Sequence, residues 1–334
     1  MIEVKYFPPS TILSEKILFK CTFLYINKNR LWIYKASSDG LPIFNRTGKL
    51  EGISSLTVDE KIGTIDEWEL NEKQNSSFRD KTLQTRNGIN PGEYHLRMWR
   101  PGVTEARSIA PNLNVITQSI QGIRILVEEI EKIFLTINPC SKNFDVYGHN
   151  LRNILLIACM EVEAALTGIL MANNYNKDRL TTNDYVKLLI PMMLDAYEVK
   201  LLSYPDIPTI KPFLNWDSSN PTKSLPWYDA YNKTKHDRES NFTYATLEHA
   251  INSIAAAIII LYAQFGLPET TAYPLDLNFL KSFKVSKTKY FLPDDFYIPL
   301  GINDGLIDGT SDDKPVKIKI KQISNFVTSV PYFP

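Results

Sequence analysis

The stretch Ile116-Thr117-Gln118-Ser119-Ile120-Gln121-Gly122-Ile123-Arg124-Ile125-Leu126-Val127-Glu128-Glu129-Ile130-Glu131-Lys132-Ile133-Phe134-Leu135-Thr136-Ile137 decides the fold class. Ile116, Ile120, Ile123, Val127, Ile130, Phe134 and Ile137 recur every three or four residues, with Glu128, Glu129, Glu131 and Lys132 on the other side. That spacing stacks the apolar side chains on one helical face, so it predicts an amphipathic helix. Pro139, which has no backbone N–H to donate, ends it.

Upstream of Pro111 the period is different. Lys16 to Ile26 is dense in β-branched and aromatic residues, Asn27-Lys28-Asn29 supplies a turn, and Leu31 to Lys35 returns as a hairpin partner. A further strand is predicted from Tyr94 to Trp99, between the turn signals Asn90-Pro91-Gly92 and Pro101-Gly102. The polar run from Asp66 to Asn90 is read as a long loop. Residues 1–110 are therefore expected to be β-rich.

Downstream, further helices are predicted from about Asp145 to Asn173 and from Thr182 to Tyr197, the latter capped by Thr181 or Thr182 and kinked or split at Pro191. Two more run from about Pro226 to His236 and from about Asn241 to Phe265, where Gly266 stops the last. Residues 198–226 are punctuated by proline and read as an extended excursion over the helices. The most apolar run, Ile254 to Ala263, falls short of a bilayer's thickness and is read as a buried helix. Residues 267–334 return to β character, with strict alternation in Val316 to Lys321. This tail has too little core to stand alone, so it is expected to pack on the N-terminal sheet. The predicted class is α+β, with a bundle of about five helices (111–266) inserted between β-rich N- and C-terminal segments.

Composition narrows the function. The chain has 334 residues, 44% of them apolar, which excludes wholesale disorder. Its 37 basic residues balance 37 acidic ones, which argues against a generic binder of nucleic acid or anionic membrane and leaves room for a local basic patch. Met1 to Pro9 lacks an apolar run after a basic start, and Cys21, Cys140 and Cys159 fit neither a disulfide framework nor a zinc site. A soluble cytoplasmic protein with no membrane partner is expected. No phosphate-binding glycine loop, dinucleotide fingerprint, zinc-protease helix or nucleophile elbow occurs. Gly301 to Asp313 is acidic but lacks the ligand alternation of a calcium loop. The four histidines have no metal-ligand spacing, so no metal and no cofactor are expected. His95 is read as structural and His249 as a surface or half-buried residue.

The informative stretch is Leu225-Pro226-Trp227-Tyr228-Asp229-Ala230-Tyr231-Asn232-Lys233-Thr234-Lys235-His236-Asp237-Arg238-Glu239-Ser240-Asn241-Phe242. Proline in the first turn starts a helix and two aromatics anchor it. Asn232 and His236, four apart, share a face, with Lys235 and Arg238 beside them. A histidine with an amide and cations nearby suits phosphate chemistry, because the imidazole moves a proton near neutral pH while cations hold the phosphate. The competing reading is that Asn232 and His236 hydrogen-bond across the bundle or cap a helix end.

Asn232-x-x-x-His236 at the start of a late helix, in a compact block of about five helices, resembles the HEPN superfamily (higher eukaryotes and prokaryotes nucleotide-binding). Trp227-Tyr228-x-x-Tyr231-Asn232-x-x-Lys235-His236-Asp237-Arg238, with Phe242 and Thr246-Leu247 downstream, is similar to an uncharacterised bacterial group sharing that core. The resemblance covers about residues 140–266. It implies RNA as ligand, a homodimer, and the metal-independent endoribonuclease chemistry of bacterial toxin–antitoxin and defence systems, with His236 and Asn232 at the motif positions.

The family's arginine position is held by Tyr231, which carries no positive charge and cannot make a bidentate phosphate contact. Lys233, Lys235 and Arg238 are the local cations. Arg238 can serve only if the helix ends near Asp237 and the chain turns back, and Arg152 on an earlier helix is another guanidinium for the fold to bring close. The family's acidic residue on an earlier helix has two candidates, Glu161 and Glu163. They lie about 200° apart around a helix, so at most one faces the motif. A buried Glu–Lys/His network is expected. Two functions follow: an RNA-directed HEPN protein, catalytic or with nuclease activity lost at Tyr231, or a non-catalytic structural or partner-binding module with no nucleic-acid role.

Overall fold

The computed structural model describes residues 113–266 continuously, together with 93–100, 278–288, 297, 328–333 and the strands within 4–61 and 84–86. The protein is α+β and divides into two compact units. The first contains an antiparallel five-stranded sheet built around the hairpin of Cys21–Asn27 and Arg30–Ala36. The hairpin predicted from the sequence is present, with Asn27 facing Arg30 at its end. Leu56–Lys61 flanks the hairpin on one side, and Val4–Tyr6 followed by Gln84–Arg86 on the other. A separate four-stranded sheet is formed by Thr11–Leu13, Lys16–Leu18, Pro42–Phe44 and Leu50–Ile53. Val316 to Lys321, Gly301 to Asp313 and most of Asp66 to Asn90 lie outside the described residues.

The second unit is helical. Its long helices are α1 (Leu113–Phe134), α2 (His149–Ala172), α4 (Pro226–His236) and α6 (Leu247–Phe265); α3 (Thr182–Tyr185) and α5 (Arg238–Asn241) are single turns. Helix α1 buries the predicted stripe Ile116, Ile120, Ile123, Val127, Ile130 and Phe134. Helix α6 is the centre, with fifteen of its 19 residues buried. Thr246 opens it by accepting a hydrogen bond from the His249 backbone N–H at 3.3 Å, and Gly266, at φ 69°, closes it. The apolar run Ile254 to Ala263 thus sits in a longer helix than the run itself. By length and composition alone both α6 and α2 could cross a membrane; most of the apolar window of α6 is enclosed by protein, and rather less of that of α2.

Three elements differ from the sequence reading. The helix predicted from Thr182 to Tyr197 survives as α3 and a short 3₁₀ turn, Val186–Leu188. Pro191 removes a backbone donor, Met193 adopts φ 50°, and Tyr197–Leu201 becomes a strand. The helix predicted from Asn241 begins instead at Leu247, because Phe242–Tyr244 forms a 3₁₀ turn ahead of the Thr246 cap. The strand predicted from Tyr94 to Trp99 is only Glu93–Tyr94, since Arg97 turns the chain at φ 57°. His95, buried, contacts the Val330 carbonyl oxygen through Nδ1 at 3.0 Å.

The tail is shared between the units. Thr328–Ser329 pairs in parallel with Glu93–Tyr94 in the first, while Phe283–Lys287 pairs antiparallel with Tyr197–Leu201 in the second. The strand Tyr197–Leu201 has one side bridged at Val199 by Ile210, and Phe283–Lys287 supplies the ladder that the other side requires.

Arg97 is buried, and burial lowers its pKa to about 10. Its Nε donates to Gln264 Oε1 at 2.7 Å and its guanidinium lies over Gly168, where a Cβ would stand 2.0 Å from Nη1. Gly266 is under two constraints at once: the left-handed backbone and the Trp99 indole, 2.0 Å from where a Cβ would be. The αL penalty alone is about 1–2 kcal/mol. Gly266→Ala is expected to destabilise the protein by at least that much in denaturant unfolding.

Asp184 anchors the turn before α3. Burial on its own would raise its pKa, but hydrogen bonds from Tyr175 Oη (2.8 Å), Lys177 Nζ (3.0 Å), and the Thr181 backbone N–H (2.9 Å) and hydroxyl (3.0 Å) outweigh it and hold the carboxyl well below the ordinary range. The folded value lies below the unfolded value of about 3.9, so this stabilisation is complete above about pH 4 and is lost as the pH falls further. Asp184→Asn is expected to cost about 1–3 kcal/mol at neutral pH and to flatten the acid limb of a stability–pH curve.

Candidate functional site

Helix α4 is held in register from both ends. Pro226 sits in its first turn, and Trp227 beside it donates its indole N–H to the Pro212 carbonyl at 2.8 Å. Asp229 lies in the first turn and Lys233, Lys235 and His236 in the last, the arrangement that the helix dipole favours. Trp227, Tyr228, Ala230, Tyr231 and Thr234 are buried. Asp237 leaves the helical region at φ −140°, ψ 89°, and its carboxylate accepts the Ser240 backbone N–H at 3.1 Å, starting α5. The helix ends at Asp237, as one half of the Arg238 condition requires, and Arg238 is exposed at the start of the next helical turn.

His236 is exposed at the tip of α4 and makes no hydrogen bond among the described residues. Asn232 is half-buried, and its amide nitrogen folds back on the Tyr228 carbonyl of its own helix at 3.2 Å. Lys233 is already engaged: Nζ lies 2.8 Å from Asp229 Oδ2 and 4.3 Å from the Tyr244 ring centroid. Arg152, in the first turns of α2, reaches across to donate from Nη2 to the Thr234 carbonyl at 3.2 Å. That carbonyl is left open by the end of α4, so a guanidinium occupies the same last turn that carries His236. Arg152 Nε is buried without an acceptor among the described residues.

The polar network between α2 and α4 runs through Glu163. Its Oε1 accepts from the Tyr228 hydroxyl and its Oε2 from the Tyr231 hydroxyl at 3.3 Å. Lys235 Nζ donates to the Tyr231 hydroxyl at 2.8 Å. Burial and then the Glu163 carboxylate push the Tyr228 phenol far above its ordinary pKa. Burial likewise raises Tyr231, and the bond to Tyr231 raises Lys235, so the lysine stays charged. The expected buried Glu–Lys/His pairing does not form: Glu163 takes its hydrogen bonds from Tyr228 and Tyr231, and the exposed Lys235 reaches only the Tyr231 hydroxyl.

Glu161 belongs elsewhere. It faces α1, where a Cβ on Gly122 would stand 3.1 Å from its carboxyl carbon, and burial raises its pKa. Two positions along a helix turn a side chain by about 200°, so Glu163 meets α4 and Glu161 cannot. Tyr231, the residue at the motif's arginine position, is wholly buried with its ring in the core. Cys159, one turn before Glu163, is also fully buried, and burial pushes its thiol well above the usual range.

His149, which no spacing singles out, arrives at the same end of the bundle. It is exposed in the first turn of α2, its ring 4.7 Å from Phe242, while Tyr147 packs on the other edge of Phe242 and bridges to Thr246. Only the folded chain brings these residues beside one another. No group of His, Cys, Asp or Glu that could hold a metal occurs among the described residues.

Comparison with family models, curated proteins and solved structures finds no match. The site therefore stands on its own geometry.

Removing the Tyr228 hydroxyl leaves one Glu163 oxygen without a donor. Tyr228→Phe is expected to destabilise by about 1–2 kcal/mol. Arg238→Ala, at an exposed position, is expected to change stability by less than about 0.5 kcal/mol in the same unfolding assay.

Proposed function

We propose that this protein is a HEPN-like module that binds RNA at the end of α4 and cleaves it without a metal, His236 serving as a proton-transfer group. One observation carries the reading: Arg152 reaches from α2 to the Thr234 carbonyl, so a guanidinium stands at the helix turn from which an unengaged, exposed imidazole projects. Arg238 and Lys235 add charge at the same tip. In the reaction, the ribose 2′-oxygen attacks the adjacent phosphorus, the bond to the 5′-oxygen breaks, and a 2′,3′-cyclic phosphate forms. His236 takes the 2′-hydroxyl proton while water protonates the departing 5′-oxygen, or protonates that oxygen while water takes the 2′-hydroxyl proton, and the cations offset charge on the phosphorane. The resemblance extends the proposal to a bacterial defence or toxin setting and to a homodimer.

A second reading, a non-catalytic module for a protein partner, is favoured by the buried Tyr231 and by the exposed apolar side chains Ile157, Met160 and Met171 on α2.

Purified protein and a single-stranded RNA separate the two. Affinity is expected to fall with salt at about 0.7 logarithmic units per phosphate neutralised. His236→Ala, at an exposed position, is expected to keep the fold and the affinity and to lower cleavage by about 10²–10⁴-fold. A 2′-deoxy oligonucleotide is expected to bind and stay intact. Affinity flat in salt would remove RNA as the ligand, and unchanged cleavage in His236→Ala would remove His236 from the chemistry.

A further inference from the structure

The motif position that carries arginine in the resembling family is filled here by a tyrosine with no access to solvent, yet that tyrosine is not inert packing. Its hydroxyl lies 2.8 Å from Lys235 Nζ and 3.3 Å from Glu163 Oε2, and Lys235 Nζ also lies 4.9 Å from the centroid of the same ring. Lys235 is one helical turn beyond Tyr231, and a lysine stem on a helix runs back towards the N-terminus, over the preceding turn. The ammonium is thereby drawn onto the Tyr231 ring edge. Glu163 is held in turn by the Tyr228 hydroxyl, so the far end of the chain is fixed by two helices.

We propose that Lys235 is the phosphate-binding cation that replaces the missing arginine, with Tyr231 and, behind it, Glu163 as the residues that position it. This inference rests on the RNA reading above. An ammonium has three donors, of which one is used by Tyr231, leaving two for phosphate oxygens. Lys235 is exposed, so those donors face solvent. A lysine is ordinarily a flexible point charge, where arginine is a rigid fork. Anchoring to a buried hydroxyl supplies the rigidity that lysine lacks, and the Glu163 carboxylate polarises that hydroxyl so that it accepts the ammonium proton more strongly. Of the other cations at this end, Lys233 is ion-paired to Asp229, Arg152 is bonded to a backbone carbonyl, and the exposed Arg238 has no anchor among the described residues, whereas Lys235 is held in place by a neutral group and keeps its full charge for a ligand.

The test is a double-mutant cycle read by salt-dependent binding of a fluorescent single-stranded RNA to the full-length protein. Lys235→Met is expected to weaken binding by about tenfold and to reduce the salt slope by about 0.7. Tyr231→Phe keeps the ring and every charge. It is expected to weaken binding about threefold with the slope unchanged, and to have no effect in the Lys235→Met background, because its action runs through Lys235. Glu163→Gln, which keeps the side-chain volume, is expected to follow Tyr231→Phe in the same cycle. A thermal melt of each variant separates unfolding from weakened binding. An unaltered salt slope in Lys235→Met, with the wild type binding RNA in a salt-dependent way, would overturn this inference alone. An equal effect of Tyr231→Phe in both backgrounds would overturn the positioning role. A wild type with no salt-dependent affinity would overturn the RNA reading, and this inference with it.

Discussion

An apolar helix buried on every side can exist in water only if other elements enclose it, and α6 imposes that condition on the helical unit. Leu247, Ile251, Ile254, Ile258, Ile259 and Leu261 are all buried, together with alanines that let neighbours approach closely. Helices α1, α2 and α4 pack around it, and Trp99 joins them through its backbone N–H to the Ala263 carbonyl at 2.9 Å. Truncating one such isoleucine to alanine typically costs about 2–5 kcal/mol, a large part of the whole stability of a protein. The arrangement of α2 against α4 is a consequence of both needing the same central helix.

Once those helices are side by side, their polar residues have to be satisfied in place. Glu163, Tyr228, Tyr231 and Lys235 do this for one another across the α2–α4 seam. Arg152 does it for the open carbonyl at the end of α4. The same contacts that close the seam leave cations and an exposed imidazole at its tip. Structure and proposed chemistry therefore share residues, and Lys235 is the one where the two roles meet.

Local signals were legible where a residue acts on its own neighbours. The limits of α4, Pro226 and His236, follow from proline at the start and the departure of Asp237 from helical backbone angles. Thr181 caps α3 in a reciprocal box with Asp184, and Gly266 stops α6. The pairing of Cys21–Asn27 with Arg30–Ala36 has the same local origin. Reading failed where the competing choice was tertiary. The helix read from Thr182 to Tyr197 breaks up short of its predicted end, and Tyr197 instead opens the strand Tyr197–Leu201, whose ladder Phe283–Lys287, far along the chain, completes. Helical spacing alone left Glu161 and Glu163 equivalent, and the direction in which each meets a neighbour separated them.

By itself the sequence determined the α+β class, the helical stretches with their apolar faces, and the placing of Asn232, Lys235 and His236 on one short helix. Those follow from periodicity and capping, which act over one or two turns. Only the tertiary structure decided that Tyr231 is sealed in the core, that Lys235 leans on its hydroxyl rather than on a carboxylate, and that Arg152 and His149 join the same end of the bundle. Such contacts join residues up to about a hundred positions apart, and they depend on how three helices rotate about α6. No local pattern encodes that rotation; it is settled by the packing of every face at once.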